Sequence, residues 1–339
     1  MYSHKGRAFS NINIRFCFPA FRNFIILCII DKIISCMLKI GIIGLGDIAQ
    51  KAYLPILCSK DLEIHLFTRN QESLARIGRQ YRISNLHSSL ESILRSGING
   101  AFVHTATESH ESIIVQLLMH NIHVYVDKPI TYDYASSKRL LDLAEKRGLN
   151  LMAGFNRRYA PAYQELKRIE NPNMIILQKN RHSLPGDIRT FVFDDFIHVI
   201  DTMRYLFAVP IKEILVSGMK RDGLLIHAVL QLIAENGATA IGIMNRDSGT
   251  LEEKVEVFSS EVKKTVVNMT NLSTMRQKTE ISSGINDWES TLSKRGFENI
   301  IQDFLQVLEK GTNPQFSMQD ALLTHEMCEN VVSQLIIDN

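Results

Sequence analysis

The sequence has few cysteines, and their spacing excludes the common cysteine-based scaffolds. Its five cysteines include no Cys-x-x-Cys pair, and none has a histidine partner at the spacing of metal ligands. We therefore expect neither a disulfide framework nor a metal site. A reducing, cytoplasmic location fits this cysteine usage best.

An excess of charge of one sign is also lacking. The 339 residues carry a formal net charge of +2, and no block of Lys and Arg stands out. Nucleic acid is therefore not an expected partner, and small-molecule chemistry is the better expectation. The length fits two domains, although no internal repeat or low-complexity linker marks a boundary.

Long apolar runs are absent as well. Several basic residues precede the apolar run 24–30, which superficially resembles a signal peptide. That run is short and is interrupted at Asp31, whereas a transmembrane helix needs about 20 apolar residues. We therefore expect no membrane span. We interpret Met37 as the working start and residues 1–36 as an extension that precedes the true start or is disordered, with a membrane anchor as the alternative.

From residue 37 to residue 155, short apolar runs alternate with amphipathic segments. This alternation is typical of repeated βαβ units, and it predicts a doubly wound α/β domain with a parallel sheet. In such sheets, ligands bind at the carboxyl ends of the strands. The predicted strands are Lys39–Ile43, Glu63–Phe67, Gly100–Thr105, His123–Val126 and Asn150–Ala153, and the predicted helices are 71–81, 110–120 and 134–147.

The first run leads into a turn with closely spaced glycines. Gly44 allows a tight turn, Gly46 lets the backbone approach a pyrophosphate, and the small Ala49 lets helix and strand pack closely. The phosphates would then lie at the helix N-terminus, at Asp47 and Ile48. An ordinary strand-to-helix turn is the alternative for this motif alone.

The second run ends in Thr68, Arg69 and Asn70, where an NAD-preferring sheet usually has an acidic residue that binds the ribose hydroxyls. A hydroxyl followed by an arginine suits a 2'-phosphate, because the guanidinium offers several donors in a plane. We therefore expect these three residues to bind NADP, with NAD as the alternative if Arg69 is a solvated loop residue.

The third and fourth runs end in further candidates. Thr105, Ala106 and His110 follow the third run and are expected to contact the cofactor, whereas His104 is expected to pack against the sheet. Lys128 follows the fourth run beside the expected nicotinamide position, where it is expected to contact the cofactor and can hold and polarise a substrate oxygen. A solvated lysine at a strand end is the alternative.

After Gly154 the alternation stops, and strand-like runs follow one another without crossover helices. This pattern predicts an α+β domain with a large, mostly antiparallel sheet. We place the boundary between residues 37–155 and 156–339. The predicted strands are 174–182, 211–219, 224–234, 238–245, 255–259 and 262–269, and the predicted helices are 155–169, 194–207, 294–309 and 318–336.

One predicted helix carries polar residues at a regular spacing. Asp194, His198 and Asp201 recur at i, i+4 and i+7, which places two carboxylates and an imidazole on one helical face. An Asp one turn before a His can orient the ring and stabilise its protonated form, as a proton-transfer residue requires. A solvated face with Asp194 or Asp195 as the N-cap is the alternative.

Taken together, these motifs resemble those of the Gfo/Idh/MocA family of oxidoreductases, over residues 37–339. Within that family the chain is most similar to the MviM-type oxidoreductases. The matching segments are Gly41–Lys51, Val124–Pro129, Gly154–Tyr159, Asp194–His198 and Trp288–Leu292.

The resemblance implies a Rossmann domain, and a second domain whose sheet often mediates oligomers, so a homo-oligomer (dimer or tetramer) is expected. It also implies a catalytic lysine in a Glu-Lys-Pro motif, matched by Lys128, and an Asp-x-x-x-His pair, matched by Asp194 and His198. Family substrates are mostly sugars, cyclitols and related alcohols or ketones. The chain departs from the pattern at Asp127 (usually Glu), at Ala106-Thr107 (commonly Pro-Asn) and at Phe196 (commonly Gly).

These observations predict an NAD(P)-dependent oxidoreductase that transfers hydride to or from a sugar- or polyol-like substrate. Lys128 would bind the reacting oxygen, His198 would exchange its proton, and Asp194 would orient His198 or hold a neighbouring hydroxyl. Arg157 and Arg181 are further candidates for substrate contact. A non-catalytic NADP(H)-binding sensor is the alternative, although a sensor needs only the glycine turn and not the three catalytic candidates.

Overall fold

The computed structural model of the chain describes residues 37–283 and 288–337. The extension expected at residues 1–36 lies outside the described residues. The described chain forms two β-sheets covered by helices. Among the described residues, four short non-α helical segments accompany the regular helices. Two are π-helical, Ala49–Tyr53 and Phe191–Phe196, and two are 3₁₀, Thr107–Ser109 and Asn156–Tyr159.

The first sheet has six parallel strands in the order β3-β2-β1-β4-β5-β6. This is the doubly wound order of dinucleotide-binding sheets, so the predicted fold class of the first half is confirmed. The central strands are apolar throughout because helices cover both faces of the sheet. The strands are β1 Lys39–Ile43, β2 Glu63–Phe67, β3 Asn85–His87, β4 Gly100–Val103, β5 His123–Val126 and β6 Leu151–Ala153.

Five helices belong to this half, and side-chain caps explain where three of them begin. Asn70, Ser89 and Asp133 each accept a hydrogen bond from the backbone N–H three residues later, which satisfies a free donor of the first turn. The helices are α1 Leu54–Leu57, α2 Gln71–Tyr81, α3 Leu90–Leu94, α4 His110–Met119 and α5 Tyr134–Lys146.

The second sheet has eight strands in the order β14-β13-β12-β11-β7-β10-β9-β8. Only β7 and β10 pair in parallel, so the prediction of a mostly antiparallel sheet is confirmed. The strands are β7 Met174–Asn180, β8 Ile211–Arg221, β9 Leu224–Ala234, β10 Thr239–Asn245, β11 Glu252–Phe258, β12 Lys263–Val267, β13 Asn271–Arg276 and β14 Thr279–Ser283.

Six helices follow the first half of the chain, and one of them packs closely on the second sheet. A Cβ on Gly242 of β10 would lie 2.1 Å from the Met203 Sδ, so only glycine there allows this approach. Met203 belongs to α8. The helices are α6 Pro161–Lys167, α7 Ile188–Thr190, α8 Ile197–Phe207, α9 Thr291–Lys294, α10 Phe297–Lys310 and α11 Met318–Ile337.

Several predicted boundaries are wrong. The predicted helix 194–207 is a π-helical turn, Phe191–Phe196, followed by α8. The predicted helix 155–169 begins as a 3₁₀ turn and becomes α-helical only at Pro161. Strands β3, β13 and β14 were not predicted, because they are short or polar and lack an apolar run.

Candidate active site

The glycine turn after β1 has the close approach that its sequence predicts. Gly44 has φ +89°, and a Cβ there would lie 2.7 Å from the backbone carbon of His104. Its N–H donates to the Phe67 carbonyl at 2.9 Å. Gly44 therefore lets the carboxyl ends of β1, β2 and β4 converge. A Cβ on Gly46 would come no closer than 3.9 Å to the His104 carbonyl oxygen, so the space above the turn is open.

A cleft of about 430 Å³ opens beside this turn, at the point where the strand order reverses between β1 and β4. The buried Thr105 Oγ1 has no hydrogen-bond partner among the described residues, which leaves it free for a ligand. The cleft brings together six of the predicted cofactor contacts: Gly44, Gly46, Thr68, Arg69, Thr105 and Ala106.

Five other predicted cofactor residues do not line this cleft. Asp47 and Ile48 are exposed, and Asp47 pairs with Lys51 at 2.8 Å, so any phosphate contact there would come from backbone N–H groups. Asn70 uses its side-chain oxygen to cap α2. His110 and Lys128 also lie outside the lining of the cleft.

His110 lies behind the cleft wall, which corrects its predicted cofactor contact. Its side chain is buried, with Nδ1 3.0 Å from the Pro129 carbonyl and Nε2 3.1 Å from the Thr105 carbonyl. Burial lowers the pKa of His110. The ring therefore joins the loop after β4 to the loop after β5. His104 is also buried and stacks on Tyr53 at 3.9 Å between ring centroids, as expected.

Lys128 connects the first sheet to the turn before α8. Its side-chain Nζ donates to the Asp194 backbone carbonyl at 2.6 Å, and its backbone N–H donates to the Asp127 carboxylate at 3.0 Å. The Lys128–Pro129 peptide bond is cis. Burial lowers the pKa of Lys128, and three neighbouring carboxylates oppose that shift. The ammonium is thus held at the cleft end of β5 by groups that favour its charged form.

The environment of His198 differs from the prediction. Burial holds the pKa of His198 well below its usual value, and four nearby cations lower it further. These cations are Arg157, Lys179, Lys128 and Arg181. The Asp194 carboxylate accepts a hydrogen bond from the Tyr132 hydroxyl at 2.7 Å. Because burial and these cations lower the pKa of His198, its protonated form is disfavoured rather than stabilised. The orientation of His198 by Asp194 stays a prediction.

Asp201 does not join this site. Its carboxylate is buried and accepts two hydrogen bonds from Arg158, at 2.6 and 2.9 Å, and a third from Thr324. The π-helical turn that contains Asp194 has more residues per turn than an α-helix, so the i, i+4, i+7 face predicted for a continuous α-helix is not formed.

Arg157 and Arg181 stand in different surroundings. Arg157 is buried and donates from Nε and Nη2 to the two oxygens of Glu253, both at 2.7 Å. Its guanidinium fork is therefore occupied, which corrects its predicted substrate contact. Arg181 is 42% exposed and lies 3.2 Å from the Asp195 carboxylate. Its charge also contributes to the lowered pKa of His198.

Comparison with known proteins identifies the architecture. The family model described as "Oxidoreductase family, NAD-binding Rossmann fold" (Gfo/Idh/MocA) matches residues 38–155, and one described as "YceM-like, C-terminal domain" matches residues 161–279. A Salmonella typhimurium protein named as the oxidoreductase YceM is 32% identical over 301 residues, covering 86% of this chain and 96% of that protein. The chain belongs to the Gfo/Idh/MocA family.

Two further relatives of this Gfo/Idh/MocA protein are a solved structure and a named enzyme. The MviM dehydrogenase structure from Clostridium difficile has a TM-score of 0.83 and 32% identity, over 88% of this chain and 99% of that one. The myo-inositol 2-dehydrogenase of Thermotoga maritima is 23% identical over 250 residues, 66% of this chain and 73% of that protein. The protein is an NAD(P)-dependent dehydrogenase, and its cleft fits a nicotinamide cofactor.

Three polar residues beside Asp194 and Asp195 escaped the sequence-based prediction of site residues. Tyr132 holds Asp194, while Lys179 hydrogen-bonds to Asp195, and burial lowers the pKa of Lys179 to about 7. Arg246 follows β10 and lies 3.9 Å from Asp195. A signal for Lys179 was present, because Lys179 and Arg181 alternate at the end of an apolar strand and so share a face. Nothing in the sequence placed Arg246 beside them.

Within residues 37–283 and 288–337, no group of three or more His, Cys, Asp or Glu side chains could hold a metal ion. No helix in the same ranges is long and apolar enough to cross a membrane.

Proposed function

We propose that this dehydrogenase transfers hydride reversibly between a nicotinamide cofactor, preferentially NADP, and a secondary alcohol or carbonyl carbon of a sugar- or polyol-like substrate. The observation that carries the proposal is the 2.6 Å contact between Lys128 Nζ and the Asp194 carbonyl, which brings the lysine next to the segment that bears His198. The activity named for the Thermotoga maritima relative supports a polyol-like substrate.

The preference for NADP rests on the end of β2. Thr68 and the exposed Arg69 line the cleft there, and no acidic residue follows this strand. The Arg69 guanidinium can form paired hydrogen bonds with a 2'-phosphate, whereas a ribose hydroxyl offers it no charge. When bound, the cofactor supplies or takes up the hydride.

Lys128 binds the reacting oxygen of the substrate. A charged ammonium has three donors, and among the described residues one hydrogen bond is seen, to the Asp194 carbonyl, so a substrate oxygen can be added. Its positive charge stabilises the negative charge that develops on that oxygen during reduction.

His198 exchanges the proton. With its pKa held well below the usual value, the ring is neutral at pH 7 and can take the proton of an alcohol during oxidation. In the reverse direction, the imidazolium is a strong acid for the same reason. Asp194 holds a neighbouring substrate hydroxyl, because Tyr132 occupies only its Oδ1.

Titration with NADPH and NADH, followed by a screen of sugars and polyols on the tighter-binding cofactor, tests the proposal. We expect NADPH to bind more tightly and at least one polyol or sugar to drive a change in absorbance at 340 nm. Tighter binding of NADH overturns the cofactor preference, and binding without turnover of any compound favours the non-catalytic sensor.

The outer face of the second sheet supports a homo-oligomer, a dimer or tetramer. Ile176, Ile241, Ile243 and Val229 alternate with the buried residues of β7, β10 and β9 and are only partly covered in the single chain. An apolar face of this kind favours burial against a second copy. Light scattering coupled to size exclusion should show an oligomer that Ile243→Lys disrupts, and a monomeric wild type contradicts it.

A further inference from the structure

Arg246 is a buried cation that is poorly paired. Its side chain follows β10 and is 7% exposed, and two of its three nitrogens, Nε and Nη1, have no hydrogen-bond partner among the described residues. Its nearest carboxylate oxygen, on Asp195, is 3.9 Å away, and its guanidinium lies 5.2 Å from the centre of the Phe191 ring. A buried guanidinium with unfilled donors is costly, so its presence calls for an acceptor.

Asp195 cannot be that acceptor alone, because it is already shared. Its Oδ1 accepts a hydrogen bond from Lys179, and Arg181 approaches its two oxygens at 3.2 and 3.4 Å. Three cations therefore surround one carboxylate.

The three cations lie at one end of two neighbouring strands. β7 and β10 are parallel, with Asn180 paired to Asn245, and the Arg181 N–H donates to the Asn245 carbonyl at 2.7 Å. Arg181 and Arg246 thus follow adjacent strand ends. Both approach the Asp195 carboxylate of the turn Phe191–Phe196. The Asp194 carbonyl of the same turn accepts a hydrogen bond from the Lys128 ammonium. The Arg246 guanidinium is therefore next to the turn that contains Asp194 and Asp195.

Basic side chains outnumber carboxylates around these residues. Among the described side chains that are at least partly buried here, five are cationic and four are carboxylates. The cations are Lys128, Arg157, Lys179, Arg181 and Arg246, and the carboxylates are Asp127, Asp194, Asp195 and Glu253. Asp187, which also acts on Arg246, is exposed and caps the turn that follows it.

We propose that the substrate carries a carboxylate that binds to Arg246 and Arg181, while Lys128 holds the reacting oxygen. A neutral sugar would leave the Arg246 donors without a charged acceptor, whereas the two oxygens of one carboxylate can accept hydrogen bonds from them. The substrate class is therefore a sugar acid or polyol acid. This inference rests on the proposed function for the role of Lys128, but the carboxylate site itself does not depend on turnover.

The test compares neutral and acidic members of matched pairs on the full-length protein with NADP(H) present. Suitable pairs are glucose with glucuronate, galactose with galacturonate, and their aldonates, with glucose 6-phosphate as the dianionic comparison. We expect an acid to be bound, by calorimetry, and used at least about 100-fold better in kcat/KM than its neutral partner. Failure of every acid to bind, or equal use of acid and neutral partners, overturns the proposal.

Arg246→Gln should lower kcat/KM for the acid about 100-fold relative to kcat/KM for the neutral partner, because the carboxylate contact is lost. Arg181→Gln, at a more exposed position, should act in the same direction and serves if Arg246→Gln does not fold. Arg139→Gln, which removes an exposed guanidinium outside the site, is the matched control. An equal loss for acid and neutral substrates in both site variants contradicts a carboxylate site.

Lys128→Met separates the two proposals. It should abolish turnover and retain acid binding. If Lys128→Met keeps turnover while Arg246→Gln loses acid binding, the proposed catalytic role fails and the carboxylate site stands. If Lys128→Met is inactive and Arg246→Gln binds the acid normally, the carboxylate site fails alone.

Discussion

The ammonium of Lys128 lies 2.6 Å from the backbone carbonyl of Asp194. Lys128 follows β5 of the parallel sheet, and Asp194 belongs to the π-helical turn Phe191–Phe196. This contact places a cation beside the cofactor cleft and within the electrostatic reach of His198. The proposed chemistry depends on this arrangement.

Arg69→Ser tests the basis of cofactor preference. Removing the guanidinium should weaken NADPH binding about 10- to 100-fold, because a charged hydrogen-bonded contact with the 2'-phosphate is lost. NADH binding should be unchanged. Fluorescence titration of both nucleotides measures this, with the exposed Arg79→Ser of α2 as control. Equal weakening of NADPH and NADH would show that Arg69 does not contact the 2'-phosphate.

The pH dependence should follow the two shifted groups. Alcohol oxidation needs neutral His198, whose pKa is lowered, so kcat/KM should stay level as pH falls to about 6.5 and decline only below it. It also needs charged Lys128, whose pKa is lowered, so activity should be lost as pH rises but before pH 10.5. A pH–rate profile tests both limbs. An acidic limb at or above pH 6.5 that disappears in His198→Gln contradicts the shift of His198.

Tyr132→Phe tests the positioning of Asp194. The substitution removes only the hydroxyl that donates to the carboxylate at 2.7 Å. We expect kcat/KM to fall about 10-fold, mainly through KM, since a hydrogen bond to a charged group is lost. Tyr134→Phe, just inside α5, is the matched control. A Tyr132→Phe enzyme with an unchanged KM and a lower melting temperature would assign Tyr132 a purely structural role.

The Arg157–Glu253 pair should matter for stability rather than for substrate. Glu253→Gln should lower the free energy of unfolding by about 3–5 kcal/mol, because it leaves a buried guanidinium without its charge partner. Glu111→Gln, in an exposed pair with Arg139, should change it by about 0–1 kcal/mol. Urea unfolding at pH 7 measures both, and equal effects would contradict the contrast between buried and exposed pairs.

The same pair sets a direction for acid unfolding. Burial raises the pKa of Glu253, but the Arg157 guanidinium more than offsets this and lowers that pKa to about 2. Because the folded-state pKa is below the unfolded one, this contribution is present above pH 4.5 and is lost as pH falls further. Glu253→Gln should therefore approach wild-type stability only in strong acid.

Much of the fold was predictable because it follows from local pattern. The apolar runs of β1, β2 and β5 predicted these strands with the observed bounds. Gly44 predicted the turn, because glycine readily adopts the positive φ observed there. The polar strands β13 and β14 gave no apolar signal, since they are largely exposed. The π-helical turn before α8 was not predicted either, because residue spacing alone does not reveal a local change in the number of residues per turn.

The site was predictable only in part, for a different reason. Lys128 and His198 belong to short motifs and were found in sequence. Arg246 meets Asp195 only because β10 pairs in parallel with β7, a strand more than 60 residues earlier in the chain. His110 and Arg157 were assigned to ligands, but buried carbonyls and Glu253 already satisfy them. Tertiary pairing, which a single sequence does not show, decided these cases.

The most direct measurement of the central claim is steady-state turnover by Lys128→Met on the cofactor and substrate that the screen identifies. Loss of the ammonium should lower kcat/KM by about 100- to 10,000-fold, because the reacting oxygen loses its charged donor. Nucleotide binding should be unchanged, and the exposed Lys138→Met should behave as wild type. Wild-type turnover by Lys128→Met would contradict the account.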